Sequence, residues 1–238
     1  MAQEPRFRRV LLKISGEALM GAEDFGIAPA TMRRIAGDIA EGRALGVEVA
    51  IVIGGGNIFR GVNSSKIGVQ RVAGDHMGML ATVINALALR SALEHTGVEV
   101  RVQSAIPMHT VCEQFIRERA ERHLRRGRVL VLAGGTGNPY YTTDSAAVLR
   151  ASELGCDIVF KATKVDGVYS ADPEQTPDAQ RYDTLTYKQV LERDLKVMDA
   201  TAVAQARDNG IPILVFSLHN AGSFARALTG REASTVIR

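Results

Sequence analysis

Val129-Leu-Val-Leu-Ala-Gly-Gly-Thr-Gly-Asn-Pro-Tyr-Tyr-Thr-Thr-Asp144 is the stretch on which the fold turns. Its five opening residues, Val129 to Ala133, are all apolar, which suits a buried parallel strand and is too short for a helix. Gly134, Gly135 and Gly137 then let the backbone turn sharply and approach a ligand with no side chain in the way. Asp144 directly precedes Ser145-Ala-Ala-Val-Leu-Arg150, which reads as the start of a helix. A strand, a glycine-rich loop and a helix N-terminus together bind anions, because free N–H groups and the helix dipole converge there. An acidic residue at that point is either an N-cap or part of a charged site, and the stretch alone leaves both open.

Outward from this stretch, strands and helices alternate. Towards the N-terminus the pattern predicts a strand over Val10 to Ile14, a helix over Thr31 to Leu45 and a strand over Val47 to Ile53. A long apolar helix over Asp75 to His95, a strand over Val98 to Gln103 and a charged helix over Glu113 to Arg126 follow. Towards the C-terminus it predicts a strand over Asp157 to Lys161, an Asp166-Gly167 hairpin turn and a loop over Ala171 to Pro177. Helices over Thr186 to Leu195 and Ala200 to Asn209 and strands over Ile213 to Phe216 and Thr235 to Ile237 complete the chain. This is an α/β protein, a three-layer α/β/α sandwich around a mostly parallel sheet. A lobe boundary is expected near Lys161, where glycine-rich loops give way to the hairpin, within one domain spanning residues 1–238.

The 238 residues are enough for a full core, and 46% apolar with 23% charged is an ordinary globular composition. A net charge of +3 is too small to imply nucleic acid or a membrane surface. Cys112 and Cys156 lie far apart, without metal-binding spacing, and read as reduced core residues. The polar, Arg-rich first nine residues lack the apolar run of a signal peptide, and Met77 to Leu89 is shorter than a membrane span, so a cytoplasmic location is expected. The sequon Asn63-Ser-Ser65 therefore carries no meaning. The charged helix over Glu113 to Arg126 mixes both signs and reads as a solvated face or subunit contact rather than a nucleic-acid arm.

Lys13 and Lys161 each sit in an otherwise apolar strand, where an unpaired ammonium is costly. Snorkelling at a sheet edge is the structural alternative to a functional role. Gly54-Gly-Gly56 ends the second predicted strand with Arg60 close behind. Gly56-Asn-Ile-Phe-Arg-Gly61 has the spacing of a Walker A loop, but Val62-Asn63 replaces its Lys-Ser/Thr, which rejects a P-loop enzyme. Three glycine-rich turns, two strand lysines, Arg60 and the acids Asp75, Asp144 and Asp199 thus gather at strand ends, where open α/β sheets bind ligands. Amides and lysines around carboxylates suit phosphoryl transfer, in which catalysis is mainly positioning and charge stabilisation.

Six segments carry a family resemblance. They are Leu11-Leu-Lys-Ile-Ser-Gly-Glu-Ala18, Val52-Ile-Gly-Gly-Gly-Asn-Ile-Phe-Arg-Gly61, Gly74-Asp-His-Met-Gly-Met-Leu-Ala-Thr82, Gly135-Thr-Gly-Asn-Pro-Tyr-Tyr-Thr-Thr-Asp-Ser145, Lys161-Ala-Thr-Lys-Val-Asp-Gly-Val-Tyr169 and Leu195-Lys-Val-Met-Asp199. From about Arg9 onward the chain resembles the bacterial UMP kinases of the amino acid kinase superfamily. The resemblance implies transfer of the ATP γ-phosphoryl to UMP with Mg2+, in pyrimidine nucleotide biosynthesis, by a cytoplasmic homohexamer. It implies an acceptor-binding lobe over about 1–160 and an ATP-binding lobe over about 161–238.

Carried over by motif, Lys13, Asp144, Lys161 and Asp199 would be catalytic. Lys13, Ile14, Ser15, Gly16, Gly56, Arg60, Thr163, Tyr169 and Asp172 would hold ATP. Gly55, Asp75, Thr136, Gly137, Asn138, Pro139, Tyr140, Tyr141, Thr142 and Thr143 would hold UMP. Activation by GTP and inhibition by UTP are also implied, with Gly21, Ala22, Glu23, Asp24, Phe25, Gly26, Arg101 and Arg128 as the matching positions. Ser91 and Glu94 stand where the family pattern has an Asp and a His. The competing readings are another superfamily kinase acting on a carboxylate or carbamate, such as acetylglutamate kinase, and a nucleotide-binding regulator.

Overall fold

The computed structural model describes residues 4–60, 68–173, 175–176 and 178–238. The sequon and the end of the rejected Walker-like loop lie outside these residues. In chain order the elements are β1 (Arg9–Ile14), α1 (Pro29–Ala44), β2 (Glu48–Ile53), α2 (Arg71–Glu94), β3 (Val100–Ser104), β4 (Glu113–Gln114), α3 (Arg117–Arg125), β5 (Val129–Ala133) and α4 (Thr143–Leu154). They continue with β6 (Ile158–Thr163), β7 (Val168–Tyr169), β8 (Arg181–Tyr182), β9 (Thr184–Leu185), α5 (Tyr187–Glu192), α6 (Ala200–Asp208), β10 (Ile213–Ser217), α7 (Ser223–Leu228) and β11 (Ser234–Ile237).

Nine strands form one sheet in the order β4-β3-β5-β2-β1-β6-β10-β11-β9, parallel throughout except where β11 runs against β10. The mostly parallel sheet with helices on both faces is the expected architecture. β1 lies in the interior of the sheet, so edge snorkelling does not account for Lys13. The expected boundary near Lys161 falls inside β6, which pairs with both β1 and β10.

Strand alternation sorts the core into two layers. Val10, Leu12 and Ile14 of β1 join Phe160 of β6 and the inner faces of α1, α2 and α7. Three edge-to-face ring contacts centre on Phe160, with Phe7, Phe216 and Phe224 at 5.6–5.9 Å. Leu11 and Val159 face the opposite layer, built from α3, α4, α5 and α6. Because side chains alternate with period two, Lys13 and Lys161 share the face of Leu11 and Val159, towards α4. The two lysines are register partners on adjacent parallel strands.

Several expected elements differ. The helix expected from Glu113 begins at Arg117, because Glu113–Gln114 instead pairs with the end of β3. α2 starts a turn before Asp75, at Arg71. Asp166-Gly167 is no two-residue hairpin turn, since the antiparallel partner of Val168–Tyr169 is Arg181–Tyr182, beyond a long loop. A short 3-10 turn (Gly16–Leu19) and α7 lack a clear periodic signal in the sequence. By length and composition α2 could cross a bilayer, but its inner face is buried against the sheet and α1.

Candidate active site

Asp144 lies between the two strand lysines. Lys13 Nζ approaches one carboxylate oxygen at 2.7 Å and Lys161 Nζ the other at 2.8 Å. All three side chains are nearly buried, between 8% and 14% exposed. Burial pushes the Asp144 carboxyl up, but the flanking Lys13 and Lys161 charges outweigh it and hold it below its ordinary value. Burial pulls the Lys161 ammonium below its ordinary value, Asp144 opposes that and Lys13 adds to it. Lys161 is held further by donating to the Val197 carbonyl. The result is a rigid cluster of two ammoniums and one carboxylate, with a net positive charge when both lysines are protonated.

The position of Asp144 follows from how α4 begins. Thr142, not Asp144, is the N-cap, and its hydroxyl accepts from the Asp144 and Ser145 amides at 3.0 and 3.4 Å. Asp144 is therefore free to project at the sheet. Asp199 caps α6 by accepting from the Ala202 amide at 2.8 Å. It also accepts from Thr142 Oγ1 and, at 3.0 Å, from Ser145 Oγ, clasping the starts of α4 and α6 together. It makes no ion pair with either lysine.

A cavity of about 720 Å3 opens beside the lysines, lined by Lys13, Ser15, Lys161, Thr163, Tyr169 and Asp172 among others. Ser15 caps the 3-10 turn that follows β1. A second cavity, about 190 Å3, is lined by Gly55, Asp75, Thr82, Thr136, Tyr141, Thr142 and Thr143 among others. Asp75 is oriented from two sides, by Arg71 Nε at 2.9 Å and by the Tyr140 amide at 2.8 Å. That amide points inward because Tyr140 takes a left-handed backbone, φ 71°. Its ring lies exposed beneath the Arg71 guanidinium.

Most of the other expected residues sit around these cavities rather than in them, while Gly55 lines the smaller one. Ile14 is core, and Gly16 lies where a Cβ would stand 2.5 Å from Asn57 Oδ1 and 2.6 Å from the Gly56 amide. At Gly55 a Cβ would meet the Gly78 carbonyl at 2.7 Å, so this glycine lets the loop after β2 seat on α2. Arg60 pairs with Glu17, which lines the larger cavity. Gly137, Pro139 and Tyr140 belong to the loop above the smaller cavity, and Asn138 opens into a separate groove between α4 and α6.

The expected regulatory positions divide between two places. Gly21 and Ala22 line a 330 Å3 cavity with Arg34, Lys164 and His219. In the same segment Glu23, Asp24 and Phe25 are exposed, while the Gly26 amide donates to the Asn57 carbonyl at 2.9 Å. Arg101 lines a distant 420 Å3 cavity with Arg90, Glu94 and Arg119. Arg128 is outside it, paired with Glu99 at 2.8 Å and 3.1 Å from His123 Nδ1. Residues that the sequence reading missed include Arg71, Thr82, Asn57 and Asn85. Thr82 and Asn85 could have been found as polar residues on the apolar face of a long helix.

The sequence matches the model of the amino acid kinase family over residues 8–217. It is 61% identical to the uridylate kinase of Paramagnetospirillum magneticum across 100% of this chain and 99% of that one. The UMP kinase of Bacillus anthracis superposes with a TM-score of 0.93 at 40% identity, covering 98% of this chain and 96% of that one. The UMP kinase of Ureaplasma parvum superposes with a TM-score of 0.92 at 36% identity, covering 98% and 99%. With this sheet order, this lysine–carboxylate–lysine centre and these matches along its whole length, the chain belongs to the amino acid kinase family and, within it, to the uridylate kinases.

Proposed function

We infer that this chain transfers the γ-phosphoryl group of ATP to UMP, giving ADP and UDP. The observation that carries the mechanism is the Lys13–Asp144–Lys161 centre, whose lysines line the larger cavity and whose Asp144 directly follows Thr142 and Thr143 of the smaller one. The larger cavity, reaching both lysines, takes ATP, with its adenosine end towards Thr163, Tyr169 and Asp172. The smaller cavity takes UMP, reaching Thr142 and Thr143 beside Asp144. Asp75, an anion already held by Arg71 and the Tyr140 amide, suits ribose hydroxyls rather than a phosphate.

In phosphoryl transfer negative charge spreads over the group in flight, and prepositioned cations stabilise it. Lys13 and Lys161 supply that charge, and Asp144 holds both in place. No general base is required. The acceptor phosphate has a second pKa of about 6, so UMP at neutral pH is already a dianion with a nucleophilic oxygen. Asp144, its carboxyl held low and both oxygens against ammoniums, is an orienter. Asp199 acts through Thr142 and Ser145, fixing the helix start that carries Asp144.

Among the described residues no group of three His, Cys, Asp or Glu side chains forms a metal cluster. We propose that magnesium would enter with ATP, where it would neutralise part of the phosphate charge. The acceptor side is assigned to residues 1–160 and the donor side to residues 161–238. Met77, Leu80 and Ile84, exposed at helical spacing on α2, support burial against a second copy, as a homohexamer would provide. GTP activation and UTP inhibition, a cytoplasmic setting and a place in pyrimidine nucleotide biosynthesis complete the proposal. ADP release measured with UMP, CMP, acetylglutamate or carbamate as acceptor, with and without added GTP and UTP, tests it. Turnover with UMP alone is expected, and turnover with a carboxylate or carbamate but not UMP would refute it.

A further inference from the structure

Asn57, in the loop after β2, and Asn85, in α2, form a closed amide pair inside the protein. Asn85 Nδ2 donates to Asn57 Oδ1 at 2.7 Å, and Asn57 Nδ2 donates back to Asn85 Oδ1 at 3.1 Å. Each amide has one further N–H, and both are used. Asn85 donates to the Gly54 carbonyl at 2.7 Å and Asn57 to the Gly26 carbonyl at 2.8 Å. The side chains are fully or almost fully buried, Asn85 0% and Asn57 2% exposed. The Gly26 amide returns the link by donating to the Asn57 carbonyl at 2.9 Å.

A core needing only stability would place apolar residues here, since a buried amide contributes little net stability even when fully bonded. What the pair does provide is direction. It fixes three segments to one another: the glycine-rich loop Gly54–Asn57 after β2, the segment ending at Gly26, and the helix that carries Asp75 and Thr82. Leucines at these positions would fill the space but hold no carbonyl at a fixed angle.

We propose that Asn85 and Asn57 are positioning residues that hold the loop after β2, which lines the smaller cavity at Gly55 and packs against Gly16 at Gly56, in register with the helix that carries Asp75. This rests on the UMP kinase reading, but its test is separable from it. In-line transfer is sensitive to misplacement, and a displacement of about 1 Å costs on the order of 10²-fold in rate. Asn85 lines neither cavity, so removing it leaves the direct substrate contacts in place.

The experiment compares wild type, Asn85→Ala and Ile39→Ala by ADP release with ATP and UMP, at a temperature where all three are folded. Ile39 is a fully buried core residue of α1 outside the substrate cavities, so Ile39→Ala costs core stability of about 2–5 kcal/mol without touching the pair. For Asn85→Ala, kcat is expected to fall tenfold or more while KM for each substrate changes less than threefold. For Ile39→Ala, kcat should stay within twofold of wild type. An unchanged kcat in Asn85→Ala, or an equal loss in Ile39→Ala, overturns the proposal. Should Asn85→Ala not fold, Asn85→Ser carries the same comparison. Hydrogen exchange on the unaltered enzyme adds a test that needs no variant. The Gly26 backbone amide, which donates to the Asn57 carbonyl, and the side-chain amides of Asn57 and Asn85 should open together at one rate, and independent opening overturns the coupling. Wild type inactive on UMP would instead defeat the functional reading, leaving the exchange result to judge the pair.

Discussion

Asp144→Asn is the substitution that most directly tests the centre. It keeps shape and removes one negative charge from between two buried ammoniums. Breaking a buried ion pair by neutralising one partner costs about 3–5 kcal/mol, because the remaining charge is left uncompensated. Against a total stability of about 5–15 kcal/mol this is a large fraction. For a chain of this size it corresponds to a fall in Tm of about 6–20 °C.

The pH dependence identifies the cause. In wild type the folded pKa of Asp144 lies below its unfolded value. Its contribution is thus fully present above about pH 4 and lost as pH falls through the lowered value. It does not vary between pH 6 and 9.5. In the variant Lys161 loses its counter-ion, so burial lowers its folded pKa further beneath the ordinary value of about 10.4. Between that lowered value and 10.4 the unfolded chain binds more protons than the folded one, so the stability of the variant rises with pH. The gap in Tm between wild type and variant should narrow from pH 7 to 9.5. Over the same range kcat, already lower by about 10²-fold from misdirected charge, should fall further as the Lys161 ammonium is lost. Differential scanning fluorimetry and ADP release across that range measure both. A gap independent of pH, or a variant with wild-type kcat, would refute the assignment of Asp144 as the clamp on two charged lysines.

Lys13→Ala is expected to lower kcat by at least about 10²-fold with little change in UMP affinity, because the lost contact strengthens in the transition state. Steady-state kinetics with calorimetric titration of UMP checks it, and lost affinity at normal kcat would contradict it. Asp75→Ala should weaken UMP by tenfold or more and ATP by less than twofold, since Asp75 lines only the smaller cavity; equal losses in titration would defeat this. Finally, kcat/KM for UMP should fall on the acid side with an apparent pKa near that of free UMP, about 6. Asp144→Asn should lower the profile without removing that limb, and a limb missing from the variant would make Asp144 the base.

What was legible in the sequence was chemistry that violates its surroundings. A lysine in a run such as Val10 to Ile14 demands a counter-charge, and so does one in Ile158 to Phe160 followed by Lys161. The glycine-rich loop before Asp144 showed where that charge could come from. What was not legible was which of several neighbouring polar residues does which task. Thr142, Thr143, Asp144 and Ser145 all can cap a helix, and only the backbone start at Thr143 decides that Thr142 does so. Asn85 carries no sequence signal beyond being polar in a long apolar helix, because its partner Asn57 is 28 positions away. The two-residue β4 was hidden because a strand that short carries no periodic signal, and its pairing with β3 is a tertiary fact.

The division of labour between two helices explains why the site has its form. On α2, Asp75, Thr82 and Asn85 fall on one face, separated by two turns and then one. Asp75 accepts from the Tyr140 amide, Thr82 Oγ1 accepts from the Gly134 amide at 2.7 Å, and Asn85 donates to the Gly54 carbonyl. One helix thus fixes the loops that follow both β2 and β5. On α4 the fixed part is the N-terminus alone, where Thr142 caps, Asp199 clasps and Asp144 reaches across to the sheet. Neither helix could assemble the centre without the register of β1 against β6. A slip of one residue would turn Lys13 to the opposite face, into the layer of Phe160 and Phe224, where α4 offers no carboxylate. The buried charges therefore depend on the parallel pairing as much as on each other, and the apolar residues alternating with the lysines are what hold that pairing in register.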